Sequence, residues 1–208
     1  YSPERKALLF GYYNATPANS GVFLPGGIVY SCLSHDIIAH ETTHALLDGI
    51  YSRFMETTHP DVAGFHEGFS DLVALLQHFM YPEIVKNQIR KARGKLETET
   101  LLGKLAVEFG QSTGESHSLR DAIGRTENGE WKRNEPKSTD YENNLECHDR
   151  GGLLVSAVFD AFLAIYKNRT ADIVRLATGG TGVVPEGEIH PDFVARLADE
   201  AAKVASHV

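Results

Sequence analysis

The spacing of apolar residues changes once along the chain, near residue 36. Residues 1–35 are rich in Tyr, Phe, Val, Gly and Pro, with turn signals at "TPANSG" and "PGG". Such a segment predicts two or three short strands or an irregular hairpin. Beyond residue 36, apolar positions recur at helical intervals. The pattern therefore predicts a short β-rich lobe over 1–35 and a helical domain over 36–208, an α+β fold that is mainly α-helical.

Several helices follow from this spacing. The first is predicted to begin with Asp36 as its N-cap and to end at Gly49. Its apolar face consists of Ile37, Ile38, Ala45 and Leu46. The second is predicted over 64–80, ahead of Pro82. Its predicted buried stripe consists of Phe65, Phe69, Leu72, Val73, Leu76 and Phe79. Further helices are predicted over 83–93, 96–109, 149–167, 170–178 and 191–206.

The segment 110–147 has a different character. It is polar, contains Gly, Asn, Ser and Pro, and has little periodicity. A loop of that length inside a compact domain is usually functional or partly disordered. The sequence therefore predicts a lid or a tether in this region.

The length, net charge and apolar content of the chain limit the classes of protein to which it can belong. A chain of 208 residues is long enough for one large domain, or for one domain with a small appended lobe. The net charge of -8 argues against a nucleic-acid partner. No stretch approaches the roughly 20 apolar residues of a membrane span. The first residue is Tyr1 rather than Met, so we expect a processed product or an excised fragment.

The two cysteines leave the compartment open. Cys32 and Cys147 can form one disulfide or remain two buried thiols, and buried thiols are the simpler interpretation. The oligomeric state is equally open from the sequence.

Candidate chemistry begins in "IIAHETTHALLDG", residues 37–49. His40 and His44 are four positions apart, so on a helix both can direct a ring nitrogen at one point, at the roughly 2.0–2.1 Å that zinc requires. Glu41 lies beside them, better placed to hold an activated water than to bind the metal. The spacing therefore indicates two zinc ligands and a general base.

A third ligand is expected from "GFHEGFSDL", residues 64–72. Glu67 and Asp71 are again four apart, and a bound cation would relieve the repulsion between them. Glu67 is the predicted ligand, and Asp71 is predicted to orient a ligand histidine. His66 is the competing ligand, but it points about 100° away around the helix, towards Phe69 and Ser70.

Together these motifs resemble the active-site and glutamate helices of the thermolysin-like zinc metalloproteases, the gluzincins. The match includes the flanking letters of "DIIAHETTHAL" and "HEGFSDLVALL". The resemblance implies a thermolysin-like catalytic domain, one zinc ion, a peptide or protein substrate and secretion.

Two further stretches extend the resemblance. "ECHDRGGLLVSAVFDAF", residues 146–162, is similar to the family's later helix and implies that His148 stabilises the oxyanion. Arg120 in "SLRDAIG" corresponds to the arginine that contacts the substrate carbonyl. Asn14 and Ala15 in "YYNATP" correspond to the pair that holds the substrate backbone by strand addition.

The chain departs from the family pattern at several positions. The tyrosine that assists the oxyanion has no counterpart, since Thr58 occupies its place. The acid expected before His148 is Asn143 by position, with Glu146 nearby. Asp36 matches a calcium ligand of the family. Its expected acidic partner is His78, however, which disfavours a double-calcium site.

The resulting prediction is a zinc metalloendopeptidase, with three alternatives. The missing tyrosine motivates an inactive zinc-binding relative that serves as an interaction module. A zinc aminopeptidase is the second alternative, although no motif for holding an α-amine is evident. A purely structural helical protein is the third.

Overall fold

The computed structural model describes residues 1–15, 26–56, 58–96, 102, 104–105, 120–121, 124–127 and 130–208. Only the backbone is described at 54–55, 104–105, 120–121, 125–127 and 130–131. Within these ranges the protein is mainly helical with few, short strands, which confirms the predicted α+β class at that level. None of its described helices has the length and apolar character needed to cross a bilayer.

The described α-helices are α1 (His35–Ile50), α2 (Pro60–Gln77), α3 (Pro82–Lys91), α4 (Ser138–Asn143), α5 (Cys147–Ala177) and α6 (Pro191–Ala205). Short 3-10 turns cover Ser31–Leu33, Ser52–Met55 and His78–Met80. Three helices, α2, α3 and α6, begin at a proline, whose fixed φ and missing N–H suit the first helical turn.

The strands among the described residues form three antiparallel pairs. They are β1 (Tyr12–Asn14) with β2 (Ile28–Tyr30), β3 (Lys104–Leu105) with β4 (Arg120–Asp121), and β5 (Gly124–Glu127) with β6 (Glu130–Arg133). In the first pair Tyr13 lies opposite Val29, so the predicted hairpin-like pairing falls within residues 1–35.

The core is built mainly by α2 and α5, with α6 packed against α5 and α3 packed against α6. Phe79, Phe159 and Phe162 form a fully buried aromatic cluster, with the Phe79 and Phe162 ring centroids 4.6 Å apart. Removing such rings from water is the main stabilising contribution in a core of this kind.

The predicted apolar faces of the first two helices are partly wrong. Phe65 and Phe69 are exposed, whereas His66, Ser70 and Asp71 on the same helix are buried. Leu46 of α1 is exposed as well, and α1 buries Ala39, Thr43, His44 and Leu47. Both helices thus bury polar residues beside apolar ones, which a search for apolar stripes cannot find.

Some predicted boundaries also change. The N-cap of α1 is Ser34, whose side chain accepts a hydrogen bond from the Ile37 amide, rather than Asp36. The two helices predicted over 149–178 are one continuous helix, within which the Thr170 hydroxyl donates to the Tyr166 carbonyl.

The regions between α3 and α5 differ from their predictions too. The helix predicted over 96–109 is wrong at Lys104–Leu105, which form β3, and most of the remaining range lies outside the described residues. The segment 110–147 contains strands and the short helix α4 among its described residues.

Candidate metal centre

Helix α1 brings His40 and His44 onto one face, one turn apart. Their Nε2 atoms are 3.0 Å from each other, and their rings meet edge to face with centroids 4.6 Å apart. Both side chains are mostly buried, with about a tenth of each exposed to solvent. Two imidazole nitrogens are therefore directed at a single point near the surface.

Glu67 reaches the same point from α2. Its Oε2 is 3.3 Å from His40 Nε2, and its Oε1 is 3.6 Å from His44 Nε2. Tetrahedral coordination at about 2.0–2.1 Å places ligand atoms roughly 3.3 Å apart, which matches this set. His40, His44 and Glu67 therefore form a group that can hold a metal ion.

A polar side chain contacts the ring nitrogen of each histidine that faces away from this point. His40 Nδ1 lies 2.7 Å from Asp71 Oδ1, and the buried carboxylate can only accept, so Nδ1 carries the hydrogen. His44 Nδ1 lies 3.2 Å from Ser70 Oγ. These contacts orient the two Nε2 atoms towards Glu67.

His66 does not join this group. Its ring stacks on His44, with Nδ1 atoms 3.2 Å apart and centroids 5.5 Å apart. It therefore contacts the outer nitrogen of a candidate ligand and packs behind it.

Glu67 is held in its ionised form. Burial, the largest single influence, opposes ionisation. Hydrogen bonds from His40 and His44 and the positive charge of nearby histidines outweigh it, so the pKa of the Glu67 carboxyl lies well below its usual range. A carboxylate rather than a carboxylic acid is the form that binds a metal ion.

His148, at the start of α5, lies beside Glu67. Its Nε2 is 3.2 Å from Glu67 Oε2, and nearly half of its side chain is exposed. Its Nδ1 lies 2.6 Å from Glu146 Oε1. The acid that accompanies His148 is thus Glu146, whereas Asn143 is the last residue of α4.

Glu146 also caps α5. Its Oε2 accepts hydrogen bonds from the amides of His148 and Asp149 at 2.8 and 2.9 Å. The Asp149 amide is the main cause that lowers the pKa of Glu146 to about 2; partial burial opposes it, and His148 adds to it. One carboxylate therefore fixes both the helix start and the ring of His148.

Cys147 is a member of this cluster that the sequence analysis missed. Its Sγ lies 3.4 Å from Glu146 Oε1 and 3.6 Å from His148 Nδ1. Burial, followed by the hydrogen bond and charge of Glu146 and the charge of Glu67, raises the pKa of its thiol. The available signal was a cysteine directly preceding a candidate site histidine.

Both cysteines are free thiols, and Cys32 is exposed rather than buried.

Glycines allow α2 and α5 to approach closely enough to join Glu67 and His148. A Cβ added at Gly68 would lie 2.6 Å from the Gly151 carbonyl oxygen, and one at Gly151 would lie 2.7 Å from the Gly68 nitrogen.

Arg150 and Asp61 form an ion pair across the same crossing of α2 and α5. This pair raises the pKa of Arg150 and lowers that of Asp61.

Glu41 is outside both groups of possible metal ligands found among the described residues. Its carboxylate forms an ion pair with the amino group of Tyr1, and the Tyr1 hydroxyl donates to Asp48 Oδ2 at 2.5 Å. A quarter of its side chain is exposed.

The remaining predicted substrate contacts lie on strands. Ala15 is buried, its amide donates to Gly27, and its carbonyl accepts from Gly26. Because successive residues of an antiparallel strand alternate in direction, Asn14 directs its own backbone groups to the opposite edge of β1. Arg120 lies in β4 opposite Leu105, and its side chain is outside the described part of the structure.

The residues at the expected calcium position do not fit calcium. Asp36 Oδ1 is 2.7 Å from His78 Nε2. Calcium takes six to eight oxygen ligands, and an imidazole in place of the second carboxylate removes oxygen donors. Asp36 instead joins the start of α1 to the end of α2.

No family model, no curated protein and no solved structure matches the chain in the comparisons. The interpretation of the cluster consequently depends on its own geometry and chemistry.

Proposed function

We propose that the protein is a zinc-dependent endopeptidase. The observation that carries this proposal is the convergence of two imidazoles and one ionised carboxylate at ligand distances, with the partly exposed His148 beside them. Two histidines and a glutamate are a ligand set of catalytic zinc sites, which leave one coordination position open. The open side is where a substrate carbonyl would approach His148.

Zinc is the metal that this donor set favours. Imidazole and carboxylate ligands in near-tetrahedral arrangement suit zinc, and Asp71 and Ser70 provide the outer polar contacts that such histidines usually have. When bound, zinc supplies a Lewis acid that makes water nucleophilic near neutral pH and polarises the peptide carbonyl.

The chain's own residues then divide the remaining tasks. Glu41 removes the proton from the attacking water and delivers it to the leaving amine. His148, oriented by Glu146, donates a hydrogen bond through Nε2 to the developing oxyanion. Arg120 is the proposed second donor, and Asn14 and Ala15 are the proposed contacts for the substrate backbone.

The first experiment measures metal content and peptide cleavage together. We expect bound zinc in the wild type, the loss of one equivalent in His44→Ala, and cleavage of peptides that are blocked at both ends. Folded protein that takes up no zinc would contradict the proposed metal site. Zinc without cleavage of any peptide would support the inactive relative, and cleavage only of free N-termini would support the aminopeptidase.

A second variant tests the role of Glu41. Glu41→Gln is expected to keep its zinc and to lose about 10²–10⁴-fold in turnover, because the general base is removed while the ligands remain. Glu83→Gln is the matched control, since Glu83 is 84% exposed and pairs only with Lys86 among the described contacts. Full activity of Glu41→Gln would remove Glu41 from the mechanism.

A further inference from the structure

A second group of ligand atoms lies directly beside the first. One ligand atom from each of Glu67, Cys147 and His148 falls within 4.8 Å of the others. Glu67 Oε2 lies between two imidazoles, at 3.3 Å from His40 Nε2 and 3.2 Å from His148 Nε2. The Glu67 carboxylate therefore belongs to both groups.

The outer contacts of this second group repeat those of the first. Glu146 holds Nδ1 of His148, as Asp71 holds Nδ1 of His40, so that in both rings Nε2 points inward. His148 is nearly half exposed and Cys147 is partly exposed, which gives an ion a path from solvent.

The charges around Cys147 and His148 favour a cation. The positive end of α5 lies here, but Glu146 already accepts the amides of His148 and Asp149. Glu146 and the shared Glu67 carboxylate bring two negative charges to the two neighbouring positions, and an ion bound at Cys147 adds the charge of its thiolate. This density reduces the repulsion between two bound cations.

We propose that Glu67, Cys147 and His148 form a second metal site that shares Glu67 with the first. Thiolate and imidazole ligands select zinc and softer divalent ions such as cadmium over calcium or magnesium. Binding forms a metal–sulfur bond and releases the thiol proton of Cys147 to solvent.

Occupancy of this site has a consequence that rests on the proposed peptidase function. An ion on Nε2 of His148 removes the donor that is proposed to meet the oxyanion. Zinc supplied beyond one equivalent therefore binds the second site and inhibits hydrolysis at the first.

Cobalt titration of the reduced, metal-free protein tests the site without reference to activity. A cysteine ligand gives a thiolate-to-cobalt charge-transfer band, which histidine and carboxylate ligands do not give. We expect two equivalents and this band in the wild type, and the loss of both the band and one equivalent in Cys147→Ser. Cys32→Ser is the matched control, since Cys32 is the chain's other free thiol, and it should retain both.

Further variants separate this proposal from the peptidase. His44→Ala should lose one equivalent and keep the band, whether or not the protein cleaves peptides. His148→Ala should lose the band, and circular dichroism should show that each variant is folded. No band in the wild type, or a band that survives in Cys147→Ser, would overturn the second site.

Discussion

At each of the two candidate ligand histidines, a polar group holds the ring nitrogen that faces away from the metal position. Asp71 does so for His40, at 2.7 Å, and is itself almost fully buried. We expect Asp71→Asn to weaken zinc binding by about 10–100-fold while the fold is retained. The reason is that an amide neither fixes the histidine tautomer nor raises its basicity as a carboxylate does. Competition with a chelator of known affinity measures the change.

The control for this variant is Asp172→Asn. Asp172 is 78% exposed and pairs with Arg175 on the outer part of α5, so the same change of charge should leave zinc affinity unaltered. Equal affinities of Asp71→Asn and the wild type would mean that the Asp71–His40 contact does not contribute to metal binding.

Site residues can be predicted from the sequence when the residues that act together lie close to one another along the chain. His40 and His44 follow from helical spacing alone, because residues four apart share a face in any α-helix. Cys147 lies next to His148 in sequence, but its proximity to Glu67 depends on how α5 crosses α2. The stacking of His66 on His44 likewise depends on the packing of α2 against α1. No single segment encodes these relations.

At the level of helices, the contact between Glu67 and His148 depends on the close crossing of α2 and α5. Gly151→Ala would place a Cβ 2.7 Å from the Gly68 nitrogen and 2.8 Å from the Gly64 carbonyl oxygen. Backbone atoms cannot move aside as a flexible side chain can, so we expect the free energy of unfolding to fall by about 1–3 kcal/mol. Because the same crossing joins Glu67 to His148, peptide cleavage should fall as well. Urea unfolding and peptide assays measure the two effects.

The neighbouring glycine supplies the control. A Cβ at Gly152 meets no atom within 4 Å. Gly152→Ala should therefore gain about 0.5–1 kcal/mol in the free energy of unfolding, because alanine favours the helix and restricts the unfolded chain. Comparable destabilisation by both variants would contradict close backbone packing as the cause.

Helices were predicted better than the faces that they bury. The bounds of α2, α3 and α6 lie near the predicted ones, because proline and apolar spacing are local signals. The predicted buried face of the second helix was wrong at Phe65 and Phe69, because His66, Gly68 and Ser70 point inward there instead. Leu72 and Phe79 of the same predicted stripe are buried. Close helix contact selects glycine, and the candidate metal centre consists of polar residues, so neither appears as an apolar stripe.

In the whole molecule, the candidate metal position formed by His40, His44 and Glu67 lies between two helices. His40 and His44 come from α1 and Glu67 from α2, so an ion bound there joins elements that otherwise contact through side-chain packing. Such an ion binds the folded chain and not the unfolded one, in which the three ligands are dispersed. At a free zinc concentration 100 times the dissociation constant, folding therefore gains about 2.7 kcal/mol.

We accordingly expect zinc, at a free concentration 100 times its dissociation constant, to raise the melting temperature of the metal-free protein by about 5–10 °C, the range expected for a chain of this size. The measurement belongs in the Cys147→Ser background, so that only the position of His40, His44 and Glu67 is filled. His44→Ala in that background should show almost no shift, whereas His207→Ala, which removes an exposed histidine near the C-terminal end, should shift fully. A shift of equal size in the His44→Ala variant would place the stabilising ion elsewhere on the molecule. The size of the shift at several zinc concentrations then gives the affinity with which α1 and α2 share the ion.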